Sequence, residues 1–440
     1  MSPQLVQEAL PSTARLGQEQ FAFVACQQGT EPMLKAKWLG ESSPFRLAFS
    51  RPGLMTFKVV TDAFAANNQP VGTVLEPPED DSEANSPWAT AKVRRATALG
   101  PTDRPATQPG GRSATAQTAT QGQAVLRLLS QVVSSQVAAE LDQTVSPPND
   151  WAIRLSGWVL GQVKGELAEP MVDEALALAG HDWDAVHVFH RDTGLPGMKG
   201  FEPGPTLVSD AIAATFAQRW PQPSSPPPIN AAAEVGQRVL DIVLVEPQQW
   251  LIGHHVVQRS HERWPGGAYS APAPAQMVSR AYLKMAEALA WSGLPIRAGD
   301  NFVEIGSSPG GACQRLLDLG LKVTGIDPAE MDPLILDHPR FEHWRAKTSG
   351  VRRKMYSKFR WLAADASVAP KYTLDCVEDI VTYKTNHIAG LLLTIKLTNY
   401  ELADKMDEHL ARVRGWGYAH VDVRQLASNR RECCIVAERR

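Results

Sequence analysis

The residues best equipped for chemistry lie in the last third of the chain. Glu304-Ile-Gly306-Ser-Ser308-Pro309-Gly310-Gly311 follows a short apolar run and opens an amphipathic one. Gly306 permits a tight turn directly after a strand. Gly310 and Gly311 allow close backbone approach to a ligand and leave free amides at a helix N-terminus. A second apolar run, Leu321–Ile326, ends at Asp327, about twenty residues downstream, where a carboxylate can accept both hydrogen bonds of a ribose diol. No Gly-Lys-Ser/Thr follows the glycines, which argues against a triphosphate loop, and the strict GxGxxG spacing of NAD sites is missing. Loop and acid together predict a ribose-bearing cofactor.

Two further features carry charge where it matters. Lys396 ends the continuously apolar run Gly390-Leu-Leu-Leu-Thr-Ile395, where an ammonium is costly without partners. Between Arg345 and Arg360 the chain carries Arg345, Lys347, Arg352, Arg353, Lys354, Lys358 and Arg360 with no acid among them. Such a run reads either as a solvated loop or as a set of phosphate contacts.

These residues need a scaffold, and the chain's periodicity supplies one. From Ser279 onward strands and helices alternate, with strands over 301–305, 321–326, 359–363 and 390–395, helices over 312–319 and 400–414, and two final strands over 419–423 and 433–436. This βαβ succession predicts a Rossmann-like, doubly wound α/β domain over 261–440, its ligand at the carboxyl ends of the strands. Upstream, 1–75 reads as a small N-terminal α/β domain with strands over 21–26 and 54–60 and a helix over 31–39. Residues 76–123 are rich in Pro, Gly, Ser, Thr and Ala and predict a flexible linker. The segment 124–260 opens with a helical period over 124–141. It continues with a strand over 183–190, a helix over 210–220 and a strand–turn–strand over 238–257, and so predicts an α+β region built on a small antiparallel sheet.

At this point the sequence resembles a family. Ser279-Arg-Ala-Tyr-Leu-Lys284, then EIGSSPGG, Asp365 after a strand, Lys396 at the end of another and Glu432 within NRRECCIVAERR are similar to the FtsJ-like ribose 2′-O-methyltransferases. The resemblance implies S-adenosylmethionine as cofactor and a Lys-Asp-Lys-Glu tetrad at Lys284, Asp365, Lys396 and Glu432. It also implies a cofactor site drawn from Ser279, Glu304, Gly306, Ser308, Pro309, Gly310, Gly311, Asp327 and Asp365. Trp250-Leu-Ile-Gly253, Trp264-Pro-Gly-Gly267 and the terminal NRRECCIVAERR are most similar to the members that methylate a cytidine ribose of large-subunit ribosomal RNA. The upstream α/β and α+β segments resemble, loosely, a ferredoxin-like THUMP-type RNA-binding module. RNA is the implied partner, with Arg345, Lys347, Arg352, Arg353, Lys354 and Lys358 as its phosphate contacts. The chain departs from the family pattern at Glu304, where Asp is usual, at Ala312, where an aromatic is frequent, and at Arg345-Ala-Lys347, where an acid often contacts adenine.

The tetrad also makes physical sense by itself. Methyl transfer from a sulfonium is an in-line displacement that gains most from alignment. A ribose hydroxyl is barely acidic, so a lysine that takes its proton needs a lowered pKa. Burial and a neighbouring ammonium, Lys284 beside Lys396, both push in that direction. Asp365 and Glu432 then orient the amines and balance the charge. The alternative is a catalytically silent RNA-binding or assembly protein that keeps the fold. Base methylation is disfavoured, because the stretch after the fourth strand reads ADASVAP rather than an Asn/Asp-Pro-Pro-aromatic loop.

Composition sets the outer bounds. Apolar residues make up 43% and charged residues 21% of the chain, with a formal charge of −3, so bulk electrostatics does not drive nucleic-acid binding. No apolar stretch is long enough to cross a membrane, and the N-terminus lacks the pattern of a secretory signal. The five cysteines show no metal or disulfide spacing, and a cytoplasmic setting is expected. Cys433-Cys434 and His254-His255 read as strand residues rather than ligands, and no metal site is expected.

Overall fold

The computed structural model describes residues 20–40, 43–60, 146–222, 224–270, 272–397 and 400–439. The expected linker 76–123 and the helical period at 124–141 lie outside these residues. Phe21–Val60 and Pro147–Arg440 belong to one unit, which contains two sheets of seven strands each.

The first sheet is built from β1 (Phe21–Cys26), β2 (Phe45–Arg51), β3 (Leu54–Val59), β4 (Ile153–Lys164), β5 (Ala185–His190), β6 (Arg238–Glu246) and β7 (Gln249–Val256), in the order β2-β3-β1-β4-β7-β6-β5. Three helices accompany it: α1 (Glu31–Trp38), α2 (Ala168–Ala179) and α3 (Leu207–Arg219). Pro32 stands in the first turn of α1, and a Thr206–Ser209 capping box starts α3, both ordinary helix-start devices. The small N-terminal domain expected over 1–75 and the α+β region expected over 124–260 share this sheet, because β1 pairs antiparallel with β4. The expected antiparallel arrangement also needs correcting at one edge, since β5 pairs parallel with β6.

β4, the central strand, lies outside the expected elements. Gly157 and Gly161 interrupt its alternation; at Gly157 close approach of the His254 carbonyl requires glycine, whereas at Gly161 the neighbour is the movable end of Leu178. A Cβ at Gly157 would come within 2.7 Å of the Phe23 ring, and one at Gly161 within 2.7 Å of Leu178.

The second sheet contains β8 (Asn301–Ile305), β9 (Lys322–Ile326), β10 (Phe341–Trp344), β11 (Trp361–Ala364), β12 (Gly390–Lys396), β13 (His420–Arg424) and β14 (Glu432–Glu438). Its order is β10-β9-β8-β11-β12-β14-β13, with the first five parallel and β14 antiparallel to both its neighbours. The helices are α4 (Ala281–Ser292), α5 (Gly311–Asp318), α6 (Pro333–Leu336), α7 (Pro370–Val381) and α8 (Met406–Gly415), and a 3₁₀ turn over Tyr400–Lys405 leads into α8.

Alternate residues of each central strand feed opposite cores. Val303, Leu362, Leu391, Leu393 and Ile435 pack with α7 and α8, while Phe302, Ala363, Leu392 and Val436 pack with α4 and α5. Burial on both faces explains why β12 is apolar throughout. The strand order reverses between β8 and β11, and a sheet of this kind opens a crevice at that point, beyond the strands' carboxyl ends.

Candidate active site

β8, β9 and β11 all deliver their last residues to this crevice. The amide of Gly306 donates to the Ile326 carbonyl at 2.9 Å, and that of Asp365 donates to the Ile305 carbonyl at 3.0 Å. The glycine turn, Asp327 and Asp365 are therefore fixed to one another by main-chain bonds. Gly306 has φ +78°, and a Cβ there would lie 2.8 Å from the Asp365 carbonyl oxygen. Gly310 has φ +120°, with Ile335 2.7 Å from where its Cβ would be, and a Cβ at Gly311 would collide with Ser279. The closest demands on these three glycines come from the protein itself: they let the loop, Ser279 and the residues after β11 approach each other.

Asp327 accepts the Ser308 amide on Oδ2 at 3.2 Å and the Ala329 amide on Oδ1 at 2.8 Å. Each oxygen keeps a further lone-pair direction, so the carboxylate still suits a ribose diol. Ser308 donates its hydroxyl to the Glu330 carbonyl at 2.7 Å, and Pro309 follows it through a cis peptide. Glu304 sits elsewhere. It is 2% exposed beneath the loop, and the Cys313 thiol donates to its Oε2 at 2.9 Å. Burial, eased by the Cys313 bond and reinforced by the charges of Asp365 and Asp327, pushes this carboxyl up to about 8. Glu304 thus holds its proton more tightly than an exposed carboxyl, and it lines a small cavity together with Lys284 and Asp365.

The four tetrad residues come together. β12 and β14 run antiparallel with Lys396 directly opposite Glu432, so the two side chains are cross-strand neighbours. The Lys396 ammonium donates to Asp365 Oδ1 at 2.7 Å and to Glu432 Oε2 at 2.5 Å. From α4, Lys284 donates to Asp365 Oδ2 at 3.2 Å and pairs with Glu432 Oε1. Each lysine therefore touches both carboxylates, and the formal charges cancel. The Glu432 side chain is 6% exposed against 19–20% for the other three, so it forms the floor. Against the penalty of burial, the two ammonium groups hold Glu432 down at about 2.

One expectation is overturned. Burial pulls the Lys396 ammonium down, but Asp365 and Glu432 outweigh it, and its pKa lies above the ordinary lysine value. Two carboxylates within hydrogen-bond reach stabilise the charged form more than partial burial penalises it.

A set of residues that sequence reasoning missed holds Glu432 in place. Asn429 donates to Glu432 Oε1 at 3.2 Å. The buried Glu287 of α4 accepts the Ala427 amide at 2.7 Å, the Ser428 amide at 2.8 Å and the Ser428 hydroxyl at 2.6 Å. The only available signal was Glu287 itself, an acid on the apolar face of α4, because its partners lie far along the chain.

The basic run is mixed. Arg345 pairs with Glu330 at 3.2 Å, Arg353 with Asp379 at 2.5 Å, and Lys358 with Glu342 at 2.8 Å while lying over the Trp344 ring. Lys347, Arg352 and Lys354 have no carboxylate partner among the described residues. The run leaves the carboxyl end of β10 at Arg345 and returns to the amino ends of β8 and β11, where Asn301 donates to the Lys358 carbonyl at 3.0 Å.

A doubly wound sheet with a glycine turn, an acid at the end of β9 and a lysine–carboxylate cluster at its switch point has the form of a nucleotide-cofactor site, and the match to known proteins agrees. Residues 277–378 match the family described as FtsJ-like methyltransferase, and the cofactor is S-adenosylmethionine. Among curated proteins the chain is similar to the ribosomal RNA large subunit methyltransferase M of Halorhodospira halophila, 29% identical over 182 residues, covering 40% of this chain and 52% of that protein. The protein of the same name from Laribacter hongkongensis is 29% identical over 185 residues, again 40% and 52%. The one from Marinobacter nauticus is 26% identical over 255 residues, covering 54% of this chain and 66% of the relative. The chain spans about half the length of the first curated relatives it matches. No helix among the described residues is long and apolar enough to cross a membrane.

Proposed function

We propose that the protein is an RNA ribose 2′-O-methyltransferase, cytoplasmic, acting on a cytidine of large-subunit ribosomal RNA. The observation that carries this reading is the closed Lys284–Asp365–Lys396–Glu432 cluster beside the glycine turn. A base nitrogen or an exposed amine has a lone pair ready for methylation, whereas a hydroxyl must lose a proton, and a lysine cluster supplies an acceptor. The names of the curated relatives support ribosomal RNA as substrate.

In this reading Asp327 receives the ribose of the cofactor, while Gly306, Ser308, Pro309, Gly310, Gly311, Ser279 and Asp365 line its remaining path. S-adenosylmethionine supplies a methyl group on a sulfonium, ready for in-line displacement. Asp365 faces both that path and the lysines, so it aligns acceptor with donor. Lys396 is the proton acceptor, through the minor neutral form that its two carboxylates leave available, and Lys284 and Glu432 hold it in position. Arg345, Lys347, Arg352, Arg353, Lys354 and Lys358 contact RNA phosphates, and the first sheet contributes to RNA binding as a THUMP-like module.

Incubation with labelled S-adenosylmethionine and ribosomal RNA, followed by digestion to nucleosides, tests the proposal. Label in 2′-O-methylcytidine is expected. Label confined to base-methylated nucleosides, or none despite calorimetrically measured cofactor binding, rejects it.

A further inference from the structure

The first sheet holds a second cluster of chemically capable side chains, on a face with no part in methyl transfer. His187 on β5 lies opposite Asp241 on β6, and His255 on β7 lies opposite Val239, two residues along β6 from Asp241. Side chains two apart on a strand share a face, so register places all three together. One ligand atom from each residue lies within 4.8 Å of the others. His187 and Asp241 are fully buried, and His255 is 5% exposed.

The hydrogen bonds fix how the rings are presented. His187 Nε2 lies 3.0 Å from the Ala231 carbonyl and His255 Nε2 lies 2.9 Å from the Glu262 carbonyl. A carbonyl only accepts, so both Nε2 atoms carry hydrogen and donate outward. His255 Nδ1 sits 2.6 Å from Asp241 Oδ2. His187 Nδ1 and Asp241 Oδ1 are buried without a hydrogen-bond partner. A distal N–H given to a main-chain carbonyl is the usual support of a metal-bound histidine, since it fixes the tautomer and aims the other nitrogen inward.

We infer that His187, Asp241 and His255 form a binding site for a divalent transition-metal ion, zinc in the first instance, through His187 Nδ1, His255 Nδ1 and an Asp241 oxygen. Two imidazoles and one carboxylate are a borderline N/O donor set that zinc accepts at about 2.0–2.2 Å. Around such an ion neighbouring ligand atoms stand roughly 3.3 Å apart, so binding draws the three ligand atoms together from within 4.8 Å and replaces the proton between His255 Nδ1 and Asp241 Oδ2.

The site is roofed by irregular chain: Ala231 lies between α3 and β6, and Glu262 belongs to the 3₁₀ turn over Ser260–Arg263. That roof exposes main-chain carbonyls to the rings, which a packed helix would not. A small apolar cluster of Ala185, Ala233, Val239 and Val257 adjoins it, and the second Asp241 oxygen or one water would complete the zinc's fourfold shell. An ion there would tie β5, β6 and β7 to the 231–262 chain as a structural centre.

The test uses the full-length protein, treated with a chelator, dialysed, and titrated first with Co²⁺ alone and then with Zn²⁺ alone. The expected result is one equivalent of Co²⁺ with visible d–d bands and no thiolate charge-transfer band, displaced by Zn²⁺, with a melting temperature that Zn²⁺ raises. His187→Gln and Asp241→Asn are expected to abolish the bands and the shift. Folding lost on chelation and regained with Zn²⁺ alone supports the site equally. The inference is overturned if the wild-type chain folds without metal and takes up neither ion stoichiometrically. It is also overturned if bound Co²⁺ shows thiolate charge transfer, which would place it on the cysteines. Both of these outcomes are measured on the wild-type chain, so a variant that fails to fold leaves the inference testable.

Discussion

Replacing Lys396 by arginine separates the two roles a charged lysine could play in the cluster. Arginine keeps the positive charge and can still bond Asp365 and Glu432, but it does not deprotonate at any usable pH. In the wild type the two carboxylates hold the Lys396 ammonium above its ordinary pKa. With an ordinary value of about 10.4, the neutral fraction at pH 7.5 is about one in a thousand, and the raised value makes it smaller still. If that fraction accepts the hydroxyl proton, the single-turnover rate should rise close to tenfold per pH unit from pH 6.5 to 9. Lys396→Arg should lose the slope together with roughly 10²–10⁴ of the rate, the range a positioned general base supplies. Lys396→Ala should be as slow. Rates are measured with the enzyme preloaded with labelled S-adenosylmethionine and mixed with excess RNA, and near-ultraviolet circular dichroism checks the fold. A flat wild-type profile, or an arginine variant within tenfold of wild type, would refute proton acceptance by Lys396 and leave the cluster an electrostatic clamp.

Three other perturbations test the surrounding parts. Glu304, with its carboxyl at about 8 in the folded chain against 4.5 ordinarily, keeps its proton after the unfolded chain has lost it. Its contribution is therefore full below pH 4.5 and fades as the pH rises to 8, by a few kcal/mol. Glu304→Gln should flatten the decline in melting temperature between pH 5 and 8, and parallel declines in both proteins would contradict the assignment. Asp327→Ala removes a charged acceptor worth about 1.5–3 kcal/mol of ribose hydrogen bonding, so calorimetry with S-adenosylhomocysteine should show affinity weaker by one to two orders of magnitude; unchanged affinity would put the ribose elsewhere. Replacing Arg352, Arg353 and Lys354 by alanine should reduce the slope of log affinity against log salt by about two for single-stranded RNA, and an unchanged slope would return the run to an ordinary solvated loop.

Local signals made the second sheet legible. The glycine turn after β8, Asp327 after β9 and the apolar run of β12 each depend on a few consecutive residues, and the expected strands fall within one or two residues of those observed, while the helix expected over 400–414 begins as a 3₁₀ turn and becomes α-helical at Met406. β10, α4, α6 and α7 lie outside the expected elements. Phe341-Glu-His-Trp344 is a four-residue edge strand, too short for a period to register. In the first sheet, β4 was hidden by glycines that only its neighbours explain. The pKa of Lys396 was illegible for a related reason. Composition shows two lysines and two acids, but whether a lysine feels mainly the other lysine or the two carboxylates depends on the β12–β14 register and the position of α4. His187, Asp241 and His255 likewise become a cluster only once β5, β6 and β7 are paired.

The two sheets are not independent modules, and the reason lies in the segment that carries Glu432. Between β13 and β14, both in the second sheet, the connecting segment reaches over to the first. The Arg424 guanidinium donates to the Ile153 and Arg154 carbonyls at 2.9 and 2.5 Å, and the Gln425 amide to the Trp151 carbonyl at 2.8 Å. Gln27 donates to the Asn429 carbonyl at 2.5 Å, and Arg430 to the Pro196 carbonyl at 2.7 Å. Burial brings Arg424 down to about 9, a cost accepted only where the carbonyls replace water. The other side of the segment is held by Glu287. Asn429, which steadies the Glu432 carboxylate, is therefore clamped between α4 and the first sheet. If that sheet binds RNA, the same contacts that dock it also set the register of the tetrad. Substrate recognition and proton acceptance would then share one rigid body, rather than being linked by a hinge.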